Sequence, residues 1–244
     1  MNAFYFGASV RQLFGCYHPA TGRSRGGVVI CAPLGREYLL AYATLRYLAR
    51  LLADAGYDVL RFDYFGTGDS AGEFQEASQQ QWLSDIAVAI AELKDLARVD
   101  RVSLVGMRYG ATLAGIVART QDTIDGLVLW DAILGGRDYL QEFGVMSDGR
   151  AGPAEGHGIA LTTGMIRDME SVTPDILSPE LPRTLLLAQD DDLAGLEEHR
   201  SRLASAGAEC ALLAVPDIPT WRDERIGASG MPVATLRAIV SWFA

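Results

Sequence analysis

The stretch RVSLVGMRYGATLAG, residues 101–115, poses a chemical question. An apolar strand, Val102–Val105, runs into Gly106-Met107-Arg108-Tyr109-Gly110, and an alanine-rich helix over Ala111–Thr120 follows. A strand, a G-x-S-x-G turn and a helix together make a nucleophile elbow, whose middle residue attacks the substrate. Here that residue is Arg108. A guanidinium is always protonated and has no lone pair to attack with. Other candidates are few. Ser70 lies in a GTGDS turn, where Asp69 and Ser70 read as residues that bond local backbone. Cys31 ends a very apolar strand and reads as a small buried hydrophobe, as do Cys16 and Cys210. Of the three histidines, His18 on an early strand and His199 in a late helix read as surface or packing residues, and His157 as an exposed loop residue.

The segments around the elbow are expected to position it. Strands are expected at Phe4–Phe6, Leu13–Tyr17, Gly27–Ala32, Tyr57–Phe62, Gly126–Trp130, Thr184–Ala188 and Ala211–Val215. Helical spacing marks Tyr38–Ala55, Gln79–Ala97, Leu193–Ala206 and Met231–Phe243, the first closed by Gly56. Alternating strands and helices predict a mostly parallel sheet with helices on both faces, an α/β architecture of one domain over 1–244. Residues 132–181 break the pattern. They are rich in Gly and Pro and weakly periodic, and read as a cap or lid insertion over the carboxyl ends of the strands, where such sheets bind ligands.

Composition narrows the partners. The chain has 244 residues, a net charge of −10 and 49% hydrophobic residues. That charge argues against nucleic acid and against an anionic membrane, both of which need a basic face. Of the 21 basic residues only Lys94 is lysine. Three cysteines at long spacings indicate neither a disulfide framework nor a zinc site, so no metal and no cofactor is expected. The opening residues carry no basic-then-apolar leader, and no run is long enough to span a bilayer, which gives the expectation of a cytoplasmic protein. The closing helix Met231–Phe243 offers a surface for homo-oligomerisation.

Four segments in order resemble the α/β-hydrolase fold: CAPLGREY at 31–38, RFDYFGTGDSAG at 61–72, GMRYG at 106–110 and LLLAQDDD at 185–192. More narrowly, PLGREY, LRFDYFGTGDSAG, GMRYGATLA and LVLWDA resemble a serine-aminopeptidase-type subgroup, found beside exosortase systems and in natural-product clusters, with arginine at the elbow. The resemblance implies an oxyanion hole from the backbone N–H of Tyr109 and one from the Pro33–Arg36 loop, at Leu34 or Gly35. It places the acid of a triad at Asp192, or at Asp190 or Asp191, with Asp131 as a second carboxylate. It places the histidine after the last strand, where VPDIPTWRDERIG, residues 215–227, has none. Hydrolysis through an acyl-serine is therefore not expected.

In the elbow geometry Arg108 points into the cleft, beside the oxyanion hole and the amino end of a helix, which favours anions. A buried cation must be paired. Arg108 either bridges internally to Glu37, Asp131 or Asp192, or clasps a carboxylate or phosphate of a ligand in a forked contact. Trp221, near the expected histidine position, is either a pocket wall or a loop anchor; Phe65 either faces the pocket or plugs its turn. Three functions follow. The first is a tailoring enzyme on an anionic, carboxylate-bearing peptide or small molecule, in which Arg108 holds an anion or enolate and Asp131, Asp192 or Glu37 moves a proton. Epimerisation or cyclisation fits, and the α/β-hydrolase-like epimerase of bottromycin maturation is a precedent. The second is a slow hydrolase or thioesterase using carboxylate-activated water. The third is a binding or scaffold protein.

Overall fold

The structure is a computed structural model that describes residues 1–142, 144, 154–156, 159–189, 193–222 and 230–243, with no side chains described for 154–156 or 194. An eight-stranded sheet forms its centre, in the order β1-β2-β4-β3-β5-β6-β9-β10. β1 (Asn2–Phe6) and β2 (Leu13–His18) form an antiparallel edge, with β2 antiparallel to β4 (Asp58–Phe62). β3 (Gly27–Cys31), β5 (Val102–Met107), β6 (Ile124–Trp130), β9 (Arg183–Ala188) and β10 (Cys210–Ala214) continue it in parallel. β3, β4 and β5 are buried along their whole lengths, which is why none of them shows an alternation of apolar and exposed polar residues.

Two cores cover the sheet. On one face α2 (Gln79–Ala97) and α3 (Tyr109–Ala118) bury Trp82, Ile86, Ile90 and Leu113 against Val29, Leu60 and Leu104. On the other, α1 (Gly35–Asp54) and α7 (Val233–Phe243) bury Leu45, Leu48, Leu236 and Ile239 against Val28, Val59, Val105 and Val128. α6 (Ala194–Ser205) joins the first face through Leu203. These are the expected α/β elements, with shifted ends. The helix expected from Tyr38 begins at Gly35, because extended Leu34 serves as its N-cap (φ −105°, ψ 158°). The shift puts Glu37 in the first helical turn.

Residues 132–181 are less loose than their composition suggests. They hold α4 (Gly136–Glu142), a strand pair β7 (Ala154–Gly156) and β8 (Ile159–Leu161), and α5 (Thr163–Glu170). These elements are too short to show periodicity. Burial of Tyr139, Leu140, Leu161, Met165 and Met169 against the body holds them, which is how most short helices are stabilised.

From β3 the chain crosses to β4 on one side and then returns past β3 to β5 on the other. The loops leaving β3 and β5 therefore diverge, and a crevice opens between them at the carboxyl ends of the strands. Leu34 and Arg108 flank that crevice.

Candidate functional site

β5 delivers Arg108 to the end of the sheet, where its N–H bonds the Trp130 carbonyl at 2.9 Å. Its backbone has φ 54° and ψ −125°, a region rarely held by a residue with a side chain. Such a conformation costs roughly 1–3 kcal/mol and persists only where surroundings enforce it. The flanking glycines allow it. A Cβ on Gly106 would lie 2.4 Å from Ala111 Cα, and one on Gly110 would lie 2.2 Å from the Ala32 carbonyl oxygen. α3 then starts at Tyr109, and Arg108 offers no side-chain cap to its free N–H groups.

The Arg108 side chain turns inward and is 6% exposed. Its Nε donates to Glu37 Oε1 at 2.9 Å and its Nη2 to Glu142 Oε2 at 2.8 Å. The guanidinium lies between two rings, 5.6 Å from the centroid of Tyr139 and 5.5 Å from that of Trp221. Tyr139 donates to Glu37 Oε2 at 3.0 Å and stacks on Tyr109 at 5.8 Å with 5° between the planes. Trp221 meets Trp130 edge-on at 6.4 Å. On the outer side, Arg222 Nε lies 3.6 Å from Glu142 Oε1. One cation is thus held by two carboxylates and two aromatic faces.

The two carboxylates differ. Glu37 is 1% exposed; burial outweighs the Arg108 guanidinium and holds its carboxyl above the ordinary glutamate range. The Glu142 side chain is 38% exposed. The pair drives the Arg108 guanidinium further from deprotonation, although its own burial opposes this. Beside it, the Trp221 indole N–H is buried and has no acceptor among the described residues.

The positions expected from sequence are partly brought together. Arg108, Glu37, Tyr109 and Trp221 share the site. Leu34 caps α1, and its side chain is buried in the core rather than turned to the crevice, so its contribution there is backbone. Gly35 lines an open groove of about 850 Å³ with Leu39, Phe74 and Ile159. Asp131 does not pair with Arg108. Its Oδ1 accepts the Gln189 N–H at 3.0 Å, tying β6 to the end of β9, and its φ is 44°. Phe65 plugs its turn. Its ring covers Gly72 and lies under Arg11 at 5.3 Å, while its backbone bonds Asp85 and Trp82. Asp190, Asp191, Asp192 and His157 lie outside the described residues. Ser70 is structural, accepting from the Phe14 N–H at 2.8 Å and donating to the Asp63 carbonyl at 2.6 Å. Burial pushes the Cys31 thiol up to about 12, which leaves no thiolate to act.

Sequence reasoning missed Tyr139, Glu142 and Arg222. Tyr139 and Glu142 stand three apart on α4 and so share one helix face. That spacing was the available signal, but a helix from Gly136 to Glu142 is too short for it to stand out.

Comparison with known proteins fits this architecture. A family model described as serine aminopeptidase, S33, matches residues 22–151, more than half of the chain. The chain belongs to this family. The matched region of this serine aminopeptidase family member includes the β3–α1 loop and the elbow. A search of curated proteins gives no match. Among solved structures, the chain is similar to ferulic-acid-bound Est1E from Butyrivibrio proteoclasticus, with TM-score 0.73 and 16% identity over 98% of this chain and 96% of that one. It is also similar to a putative hydrolase from Agrobacterium vitis S4, with TM-score 0.60 and 19% identity over 100% of this chain and 98% of that one. A thioesterase domain from the curacin biosynthetic pathway matches with TM-score 0.60 and 18% identity over 99% of this chain and 98% of that one. These likenesses establish the α/β-hydrolase fold of the family member. Among its described residues no helix is long and apolar enough to cross a membrane.

Proposed function

We propose that this serine aminopeptidase family member is a tailoring enzyme that binds a carboxylate-bearing peptide or small molecule at Arg108 and moves a proton next to a carbonyl, rather than hydrolysing through an acyl-serine. The observation that carries this reading is the strained elbow at Arg108, whose buried guanidinium is forked between a fixed carboxylate and a half-exposed one. A purely structural strut needs no strained backbone. Strain of this kind gathers at functional sites, where surroundings hold a group in a working position.

In this reading Glu37 and Tyr139 hold the guanidinium in place, and Glu142 occupies the position that a ligand carboxylate takes. An incoming anion displaces Glu142, whose other oxygen lies near Arg222, and gains the Nη2 edge of Arg108. The Trp221 N–H, which has no acceptor among the described residues, offers a second donor to the same ligand. The N–H of Tyr109 and the Leu34–Gly35 turn then stabilise the oxygen on which negative charge develops when a proton leaves the neighbouring carbon. Glu37, whose carboxyl burial holds above the ordinary glutamate range, is one proton carrier, and Glu142, once displaced, is a second. Epimerisation or cyclisation of a peptide fits these parts, and the segment 132–181, which supplies Tyr139 and Glu142, acts as the cap. The test is incubation with a panel of peptides and carboxylates in heavy water. Deuterium at a carbon beside a carbonyl, lost in Arg108→Lys, is expected; no incorporation across the panel overturns the reading. Family membership favours one second reading, slow ester or thioester hydrolysis by carboxylate-activated water, which the same incubations reveal as free acid without deuterium exchange.

A further inference from the structure

A second arginine is buried and forms no ion pair among the described residues. Arg61 lies on β4 beside Val59, paired in register with Cys16 of β2 and Ile30 of β3, on the α1 face of the sheet. It is 7% exposed, in a strand whose neighbours are apolar. Its Nε and Nη2 are buried and have no hydrogen-bond acceptor among the described residues. These two nitrogens form the side edge of the guanidinium, the edge that takes a carboxylate or phosphate in two parallel bonds.

Carboxylates are near, but none accepts from either nitrogen among the described residues. Asp63 and Asp69 line the same cavity. Both Asp63 oxygens are engaged, Oδ1 by the Tyr38 hydroxyl at 2.5 Å and Oδ2 by the Asp69 N–H at 3.0 Å. His18, two residues along β2 from Cys16 and thus on the same face, is lowered to about 4 by burial first, then by Arg61, the amino terminus and Arg46. Its Nε2 is also buried and unpartnered among the described residues. Arg46 and Arg50 line the adjoining cavity with His18, and Asp54 is the carboxylate there.

There is room for a ligand. Arg61 lines a cavity of about 340 Å³ between α1 and the β2–β4 edge, and a second cavity of about 550 Å³ adjoins it, with Tyr42 in the walls of both. The Tyr42 ring covers the guanidinium at 5.4 Å and is 43% exposed. Neither lining includes Arg108, Glu37 or Glu142. A buried, unpartnered cation is costly, and an oxyanion relieves that cost.

We propose that this corner is a second ligand site, for a small molecule whose carboxylate or phosphate takes the Arg61 fork and whose apolar body lies on the Tyr42 ring. The test is calorimetric titration of the full chain with phenyl phosphate, benzoate, inorganic phosphate and uncharged benzyl alcohol. Saturable binding of phenyl phosphate or benzoate is expected at millimolar concentration, weaker for inorganic phosphate, absent for benzyl alcohol and diminished by salt. The stronger of the first two assigns phosphate or carboxylate as the recognised group. Arg61→Met should abolish binding, and Arg61→Lys, which keeps the charge and loses the fork, should weaken it about tenfold. The double variant Glu37→Gln/Arg108→Met, in which the elbow cation is removed, should retain it. The proposal is overturned if neither aromatic anion binds, if binding persists in both Arg61 variants, or if it disappears only when Arg108 is replaced.

Discussion

Replacing Arg108 by methionine tests the charge arrangement most directly. The side chain stays unbranched but is shorter and uncharged, so Glu37, 1% exposed, loses the partner bonded to Oε1 and retains, among the described residues, the Tyr139 hydroxyl. Stranding one member of a buried ion pair typically costs about 3–5 kcal/mol. For a domain of this size that is a fall in melting temperature of roughly 6–20 °C. The cost depends on pH in a stated direction. The Glu37 carboxyl already sits above its ordinary value of 4.5 in the folded protein because burial dominates, and Arg108 is the largest influence holding it down. Without Arg108 it rises further. A carboxyl raised by folding leaves stability whole below the unfolded value and removes it as pH climbs through the folded value. The variant should therefore fall behind the parent progressively as pH rises between the two folded values, by up to ~1.4 kcal/mol per pH unit, and recover toward the parent on acidification. Glu37→Gln/Arg108→Met, which removes both charges, should regain most of the loss and lie flat across that window. Denaturant titrations from acid to mildly alkaline pH measure all three proteins. A single variant as stable as the parent at alkaline pH, or a loss that does not shrink in acid, refutes the buried-pair account.

Glu142→Gln should behave differently, because its side chain is 38% exposed and a half-solvated pair contributes little. A stability change under about 1 kcal/mol is expected, together with tighter binding of carboxylates measured by thermal shift, since the group occupying their place no longer carries charge. Ser70→Ala removes the bonds to the Phe14 N–H and the Asp63 carbonyl, so it should destabilise by roughly 1–3 kcal/mol in thermal melts. Neither this variant nor the parent should label with a fluorophosphonate. Cys31, fully enclosed and raised to about 12, should resist iodoacetamide in the native protein, while half-exposed Cys210, raised to about 11, should label slowly; mass spectrometry distinguishes them.

The architecture was legible because it rests on local patterns. Strands with no exposed alternation, such as Gly27–Cys31 and Val102–Met107, belong inside a sheet covered on both faces, and amphipathic Gln79–Ala97 belongs on its surface. Gly106 and Gly110 signalled the elbow, because close backbone approach leaves no space for a Cβ. That Arg108 faces a buried cleft followed from this local geometry. What pairs with it did not. Glu37, Asp131 and Asp192 were equally available in the sequence, whereas the fold brings Glu37 from 71 residues away and Glu142 from 34. Asp131 goes instead to the Gln189 N–H, because the parallel pairing of β6 with β9 sets those strand ends side by side. Arg61 shows the same limit. One arginine in an apolar strand looks like any edge residue until the register places it between Cys16 and Ile30, beneath Tyr42. Ion pairing and burial are properties of side chains meeting across long loops, and only the folded chain fixes which of them meet.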